Sequence, residues 1–223
     1  SHKVPKWMKR LQIIDSTTVS LFSNLIFKGV GRNPKTGRKK GGIKVHSVIH
    51  ANEGVPCDIQ FTSAAKHDHF MLSPDKLTAG DILAMDRAYI DYGKFEQMTK
   101  RGVIYVTKMK QNLTYETLKS TYYMNGKGQM QWREEYVVFR KEVKVKETGE
   151  DGKETVSTRT IEHKARIVTY ADEKNRKLVR LLTNDLEMPY EDIGAIYKKR
   201  WAIESLFKQL KQNFPLRYFY GES

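Results

Sequence analysis

Tyr197-Lys198-Lys199-Arg200-Trp201-Ala202-Ile203-Glu204-Ser205-Leu206-Phe207-Lys208-Gln209-Leu210-Lys211 carries two patterns at once. With Tyr197 at 0° and about 100° of rotation per residue, Arg200, Glu204, Lys208 and Lys211 fall on one stripe about 80° wide. Ile196, Ile203, Leu206, Phe207 and Leu210 occupy the adjacent sector. One stripe is suited to pack on a core while its neighbour presents Tyr, Arg, Glu, Lys and Lys in a row. Residues 189–213 therefore predict a long amphipathic helix. Trp201, with its large apolar ring, is expected to pack. On helix geometry alone the polar stripe also reads as a solvated face with Arg200–Glu204 and Glu204–Lys208 pairs, worth a few tenths of a kcal/mol each. The rest of the chain has to decide.

Upstream, the pattern is that of strands. Leu11-Gln12-Ile13-Ile14-Asp15-Ser16-Thr17 is an apolar run of β-formers with an acid near its end. Asp81-Ile82-Leu83-Ala84-Met85-Asp86 repeats that theme, and Asp81, after Gly80, is expected to be a turn former. Residues 43–50 and 55–62 flank Ala51-Asn52-Glu53-Gly54 as a hairpin. Residues 63–72 and the segment around Tyr92–Lys100 predict helices, and 103–109, 165–170 and 178–183 predict strands. Residues 112–163 are charged and dotted with aromatics. They include the β-like Tyr136-Val137-Val138-Phe139 and the polar Thr148-Gly149-Glu150-Asp151-Gly152-Lys153. We read them as a β-rich insertion between two parts of one core, 1–111 and 164–223. No internal repeat or heptad is present.

Composition narrows the partner. Forty Lys+Arg against 26 Asp+Glu give a formal charge of +14, which favours a polyanion. Nucleic acid is the first candidate and an anionic membrane surface a distant one. No apolar run approaches the roughly 20 residues needed to cross a bilayer. Residues 29–42 read as a Gly-, Lys- and Arg-rich loop, and the segment with Lys28, Arg32, Lys35, Arg38, Lys39 and Lys40 is open between phosphate binding and disorder. A single cysteine, Cys57, excludes an intrachain disulfide and a cysteine metal cluster, which fits a reducing cytoplasm.

Tyr197, Arg200, Glu204 and Lys211 reproduce the interval Tyr, two residues, Arg, three residues, Glu, six residues, Lys. Ile14-Asp15-Ser16-Thr17, Lys44-x-His46, Asp86-Arg87-Ala88-Tyr89 and Leu181-Leu182-Thr183-Asn184-Asp185 accompany it. Together these words resemble the fourth insertion-sequence family of bacterial DDE transposases over nearly the whole chain. Ala88, where a different small residue is usual, is a mild departure. The resemblance implies an α/β, ribonuclease H-like mixed sheet flanked by helices, with a β-rich insertion before the last catalytic acid.

It also implies chemistry. Asp15, Asp86 and Glu204 would be the catalytic acids and the ligands of two Mg²⁺ ions per site, with Mn²⁺ as substitute. Oxygen-only ligation suits hard divalent cations, and a metal pair suits in-line displacement at phosphorus. Asp15 is assigned as the bridging ligand, with Asp86 on one ion and Glu204 on the other. Tyr197, Arg200 and Lys211 would contact DNA phosphates, with Lys208 beside them. Arg87 is open between DNA contact and a surface ion pair. Lys44 and His46 lie on the strand after the basic loop; Lys44 is assigned to DNA contact, and His46 is open between the metal site, DNA and a structural role. Trp132 is open between stacking an unstacked base and anchoring the insertion. The implied activity is hydrolysis at transposon ends and strand transfer into target DNA. The implied partners are double-stranded DNA (terminal inverted repeats and target) and a second copy in a paired-end complex, acting at the bacterial nucleoid. The chain begins almost at the first acidic strand and stops soon after the signature helix, so an end-recognition domain is expected elsewhere. A metal nuclease without strand transfer and a DNA-binding transposase remnant are the rivals.

Overall fold

The structure, a computed structural model, describes the backbone of residues 5–21, 41–50, 55–63, 78–85, 87 and 90–213. Side chains are described at 5–13, 78–85, 87, 90–202 and 205. The strands are β1 (Leu11–Leu21), β2 (Gly41–His50), β3 (Val55–Ser63), β4 (Ile82–Met85), β5 (Ile104–Lys108), β6 (Glu116–Met124), β7 (Met130–Thr148), β8 (Glu154–Asp172) and β9 (Lys177–Thr183). Two helices, α1 (Tyr92–Lys100) and α2 (Tyr190–Asn213), and a 3-10 turn at Lys6–Arg10 complete the described elements. The strands form one nine-stranded sheet in the order β3-β2-β1-β4-β5-β9-β8-β7-β6. β1, β4 and β5 run parallel, and every other pairing is antiparallel. This is the α/β, ribonuclease H-like mixed sheet that the resemblance implies.

The short strand β4 shows why the sheet is covered on both faces. Ile82 and Ala84 point into one apolar layer, Leu83 and Met85 into the other, and all four are buried. Strands buried on both sides read as continuous apolar runs, as Ile82-Leu83-Ala84-Met85 does. One layer joins Leu11, Ile13, Val106, Val168 and Leu181 to Ile193 and Ile196 of α2. The other joins Tyr105, Phe139, Ile167 and Leu182 to Phe95 and Met98 of α1.

Local signals fix the bounds of α1. The Asp91 carboxylate caps its start by accepting from the Lys94 backbone N–H at 3.1 Å. At its end Gly102 adopts φ +73°, the Gly102 N–H reaches the Thr99 carbonyl and the Val103 N–H reaches the Met98 carbonyl. Those two bonds close a Schellman motif, with Val103 and Met98 buried together. Asp81 takes its expected turn role: its carboxylate accepts from the Thr78 backbone at 2.8 Å and from Gln12 at 3.2 Å.

Several expectations change. The strand read at 165–170 is the inner part of the 19-residue β8, which pairs with β7 from Trp132–Tyr170 out to Thr148–Glu154. β6 has no counterpart in the sequence reading, because its side chains are mostly exposed and lack an apolar alternation. Gly41 and Gly42, expected in the loop at 29–42, instead open β2, and Ser63, expected in a helix, ends β3; the rest of that loop, the turn at 51–54 and the rest of the helix expected at 63–72 lie outside the described residues.

Two polar clusters, one on each face of the sheet, link neighbouring elements. The His163 ring lies between the Tyr105 hydroxyl and the Glu96 carboxylate and is completely buried. A carboxylate only accepts, so Nδ1 carries the proton toward Glu96, and Nε2 accepts from the Tyr105 hydroxyl. Burial pulls the His163 pKa below its ordinary value, against the opposing pull of Glu96. On the other face Arg166 donates to Glu134 at 2.9 Å, and the Tyr123 hydroxyl donates to the same carboxylate at 2.7 Å.

Candidate active site

The parallel register of β1 and β4 sets Leu11 beside Ile82, Gln12 beside Leu83 and Ile13 beside Ala84. Asp15 lies on β1 two residues beyond Ile13, opposite Ser47 of β2. Met85 ends β4 and Asp86 is the next residue in the chain; Asp86 itself lies outside the described residues. Asp15 thus lies mid-strand rather than at a strand end, a correction to the sequence reading: β1 loses β4 as a partner after Ile13 but continues against β2 to Leu21, while β4 ends at Met85. Ligand sites of open α/β sheets form at the C-terminal ends of parallel strands such as β4.

Helix α2 packs across β1, β4, β5, β8 and β9, seated by Ile193 and Ile196, both fully buried. Glu204, Lys208 and Lys211 belong to this helix, and their side chains lie outside the described residues. Lys44 and His46 are on β2, opposite Thr18 and Ser16 of β1; their side chains too lie outside.

The described part of the signature stripe is Tyr197 and Arg200. Arg200 is only 4% exposed, with its guanidinium carbon 5.9 Å from the Tyr197 ring centroid. Both line a cleft of about 830 Å³ together with Arg87, Lys108, Lys174, Lys177, Lys198 and Trp201. Sequence reasoning named Arg87, Tyr197 and Arg200 in this set and missed the lysines. Their signal is cross-strand: Lys108 closes β5 and Lys177 opens β9, which only pairing brings to one place. Trp201 is 63% exposed, a correction to the packing expected of it. On the helix it lies about 140° from Ile196 and about 80° from Ile193, at the margin of the packed face, and that position outweighs the size of its ring.

A second cleft of about 740 Å³ adjoins the first, sharing Tyr170, Asp172, Lys177 and Lys198. It extends to Trp132, Gln129 and Asn125. Lys198 holds its ammonium 5.3 Å from the Tyr170 ring centroid. Burial pushes the Tyr170 phenol up to about 12, so it remains a neutral donor at physiological pH. The Asn175 side chain, then backbone hydrogen bonds and Lys177, hold the Asp172 carboxyl below its ordinary range, partly offset by desolvation.

Trp132 sits where β7 meets α2. Its ring lies 4.9 Å from that of Tyr170 and 5.0 Å from that of Tyr190, and its far edge touches Gly194. Trp132 thus has an anchoring role, with part of its surface left to line the second cleft. Among the described residues no group of three or more His, Cys, Asp or Glu side chains is arranged to hold a metal ion. No described helix is long and apolar enough to cross a membrane.

Residues 6–220 match the family described as the transposase DDE domain. The probable transposase for insertion sequence element IS5377 of Geobacillus stearothermophilus is 25% identical over 97% of this chain and 52% of its own length. The putative transposase y4zB of Sinorhizobium fredii is 27% identical over 96% of this chain and 54% of its own. The transposase for IS231C of Bacillus thuringiensis subsp. berliner is 24% identical, covering 96% and 52%. The chain spans about half the length of these curated relatives.

Proposed function

This chain belongs to the transposase DDE domain family, and from that premise we propose that it is the catalytic core of a DNA transposase that hydrolyses phosphodiester bonds at transposon ends and joins them to target DNA. The observation that carries this reading is the in-register parallel pairing of β1 with β4 beneath α2, the three elements leading to Asp15, Asp86 and Glu204. Phosphoryl transfer needs oxygen ligands gathered from separate elements, and this topology supports such a gathering.

Divalent metal ions belong to the chemistry of this family; Mg²⁺, two per site and replaceable by Mn²⁺, is our specific assignment. The donor set fits, since three carboxylates without Cys or His suit a hard cation. Asp15 would bridge, with Asp86 on one ion and Glu204 on the other. When bound, the pair would supply charge neutralisation at the attacking and leaving oxygens.

The chain's own contribution is to hold and orient DNA. Arg200 offers a guanidinium fork pre-set by burial against Tyr197, and Lys208, Lys211, Arg87 and Lys44 add phosphate contacts. Trp201 and the outer part of Trp132 offer ring faces along the joined clefts. Residues 1–111 and 164–223 would form the core and 112–163 the insertion, with β8 passing unbroken between them. The partners are terminal-repeat and target double-stranded DNA and a second copy in the synaptic complex, in the bacterial cytoplasm at the nucleoid.

Mn²⁺ titration and Mn²⁺-dependent nicking of supercoiled plasmid test the site. Asp15→Ala, Asp86→Ala and Glu204→Ala should each lower Mn²⁺ stoichiometry and abolish nicking; substantial residual nicking removes that residue from the site. Joining of a pre-cleaved 3′-hydroxyl end to a target plasmid separates a transposase from a simple nuclease.

A further inference from the structure

We propose that the outer part of the β7–β8 hairpin is an arm that docks on a basic surface of a second copy of this chain. Among the described residues neither strand has another strand beside it beyond Arg140 and Glu162, since β6 starts at Glu116, opposite Val138, and β9 ends at Thr183, opposite Arg166. Eight cross-strand pairs, Lys141–Ile161 through Thr148–Glu154, continue as a bare two-stranded ribbon about 25 Å long. Isolated hairpins are marginal in water, so a ribbon of this reach gains from a partner. Both of its edges offer unpaired backbone groups, and Val156 is 58% exposed.

Charge selects the partner. The chain carries +14 and the stem of the ribbon has Lys141, Lys144, Lys146 and Arg159 against Glu142, yet its tip, residues 147–154, holds Glu147, Glu150, Asp151 and Glu154 against Lys153 alone. A two-stranded ribbon is the right width for the DNA major groove. Four carboxylates at its tip would be repelled by phosphates, however, and attracted to a cationic protein surface. The remainder of a second chain supplies that surface, and a two-fold arrangement uses each arm once, doubling the contact. The inference refines the dimer of the preceding reading, but its test involves no DNA chemistry, so either can fail while the other stands.

Sedimentation velocity of the chain at low and high salt is the experiment. Wild type should self-associate reversibly at low salt and dissociate as salt rises. Replacing the four acids together (Glu147→Gln, Glu150→Gln, Asp151→Asn, Glu154→Gln) should weaken association about tenfold. Lysine at the same four positions should leave a monomer, with thermal unfolding unchanged in both variants because all four side chains are exposed. A wild type that stays monomeric at every concentration overturns the proposal, as does equal association in the variants. If the neutral variant changes affinity for a duplex of random sequence and leaves self-association untouched, DNA is the occupant and the proposal fails.

Discussion

A β-carbon on Gly194 would lie 2.6 Å from the far edge of the Trp132 ring, so α2 crosses β7 at a separation that only glycine permits. Helix propensity favours alanine over glycine by about 1 kcal/mol. The contact opposes that gain, because a ring wedged between Tyr170 and Tyr190 has little freedom to retreat. Overpacking of this kind costs about 1–3 kcal/mol. Gly194→Ala should therefore destabilise the protein, and Trp132→Phe in the same chain should restore part of the loss. A chemical-denaturation double-mutant cycle checks the coupling; a stabilised Gly194→Ala single variant contradicts the wedge.

The Glu134–Arg166 pair is a second point of sensitivity, since both groups are nearly excluded from solvent. Removing one partner of a buried pair leaves a bare charge and costs about 3–5 kcal/mol. Glu134→Ala should lower the urea midpoint sharply. Arg166→Met with Glu134→Leu should recover most of it, less the hydrogen bond lost by Tyr123.

His163 gives the fold a pH dependence with a definite sign. Its folded-state pKa lies below the ordinary 6.5, chiefly through burial, so the unfolded chain takes up the proton first as pH falls. The stabilisation is fully present above about pH 6.5 and is lost progressively as pH drops through the folded-state value. Tm measured from pH 7.5 downward should fall more steeply for wild type than for His163→Gln. Parallel curves would mean that the Tyr105–His163–Glu96 chain does not govern this range.

The joined clefts should bind nucleic acid with a salt dependence set by their cations. Lys177→Ala and Lys198→Ala should each weaken duplex binding about equally across sequences. Each should lower the slope of log affinity against log salt by about 0.9. Fluorescence anisotropy over a salt series checks this, and an unchanged slope excludes the lysine from the contact.

The α1 segment, Tyr92–Lys100, was legible because its bounds are local: a carboxylate cap at Asp91 and Gly102 just past its end. β4 was legible because four successive apolar residues buried on both faces leave no polar alternation to misread. The hairpin beyond Arg140 was not, since exposed strands of mixed polarity lack the contrast on which periodicity depends. The helical wheel put Arg200 just beyond the apolar sector, and an angle cannot report the depth of the cleft beside it. Lys108, Lys177 and the Tyr105–His163–Glu96 chain depend on pairings between distant segments, which no local word encodes.

The place of β9 between β5 and β8 bears on how the molecule is made. A nascent chain emerging from the ribosome completes β4 and β5 early, but β5 gains its antiparallel neighbour only after β6, β7 and β8 have been translated. Until then the rim of β5 is open to foreign strands, and the closing contact joins distant parts of the polypeptide, a condition that slows folding. Translation halted before residue 177 is thus expected to leave an aggregation-prone product, whatever stability the finished protein attains.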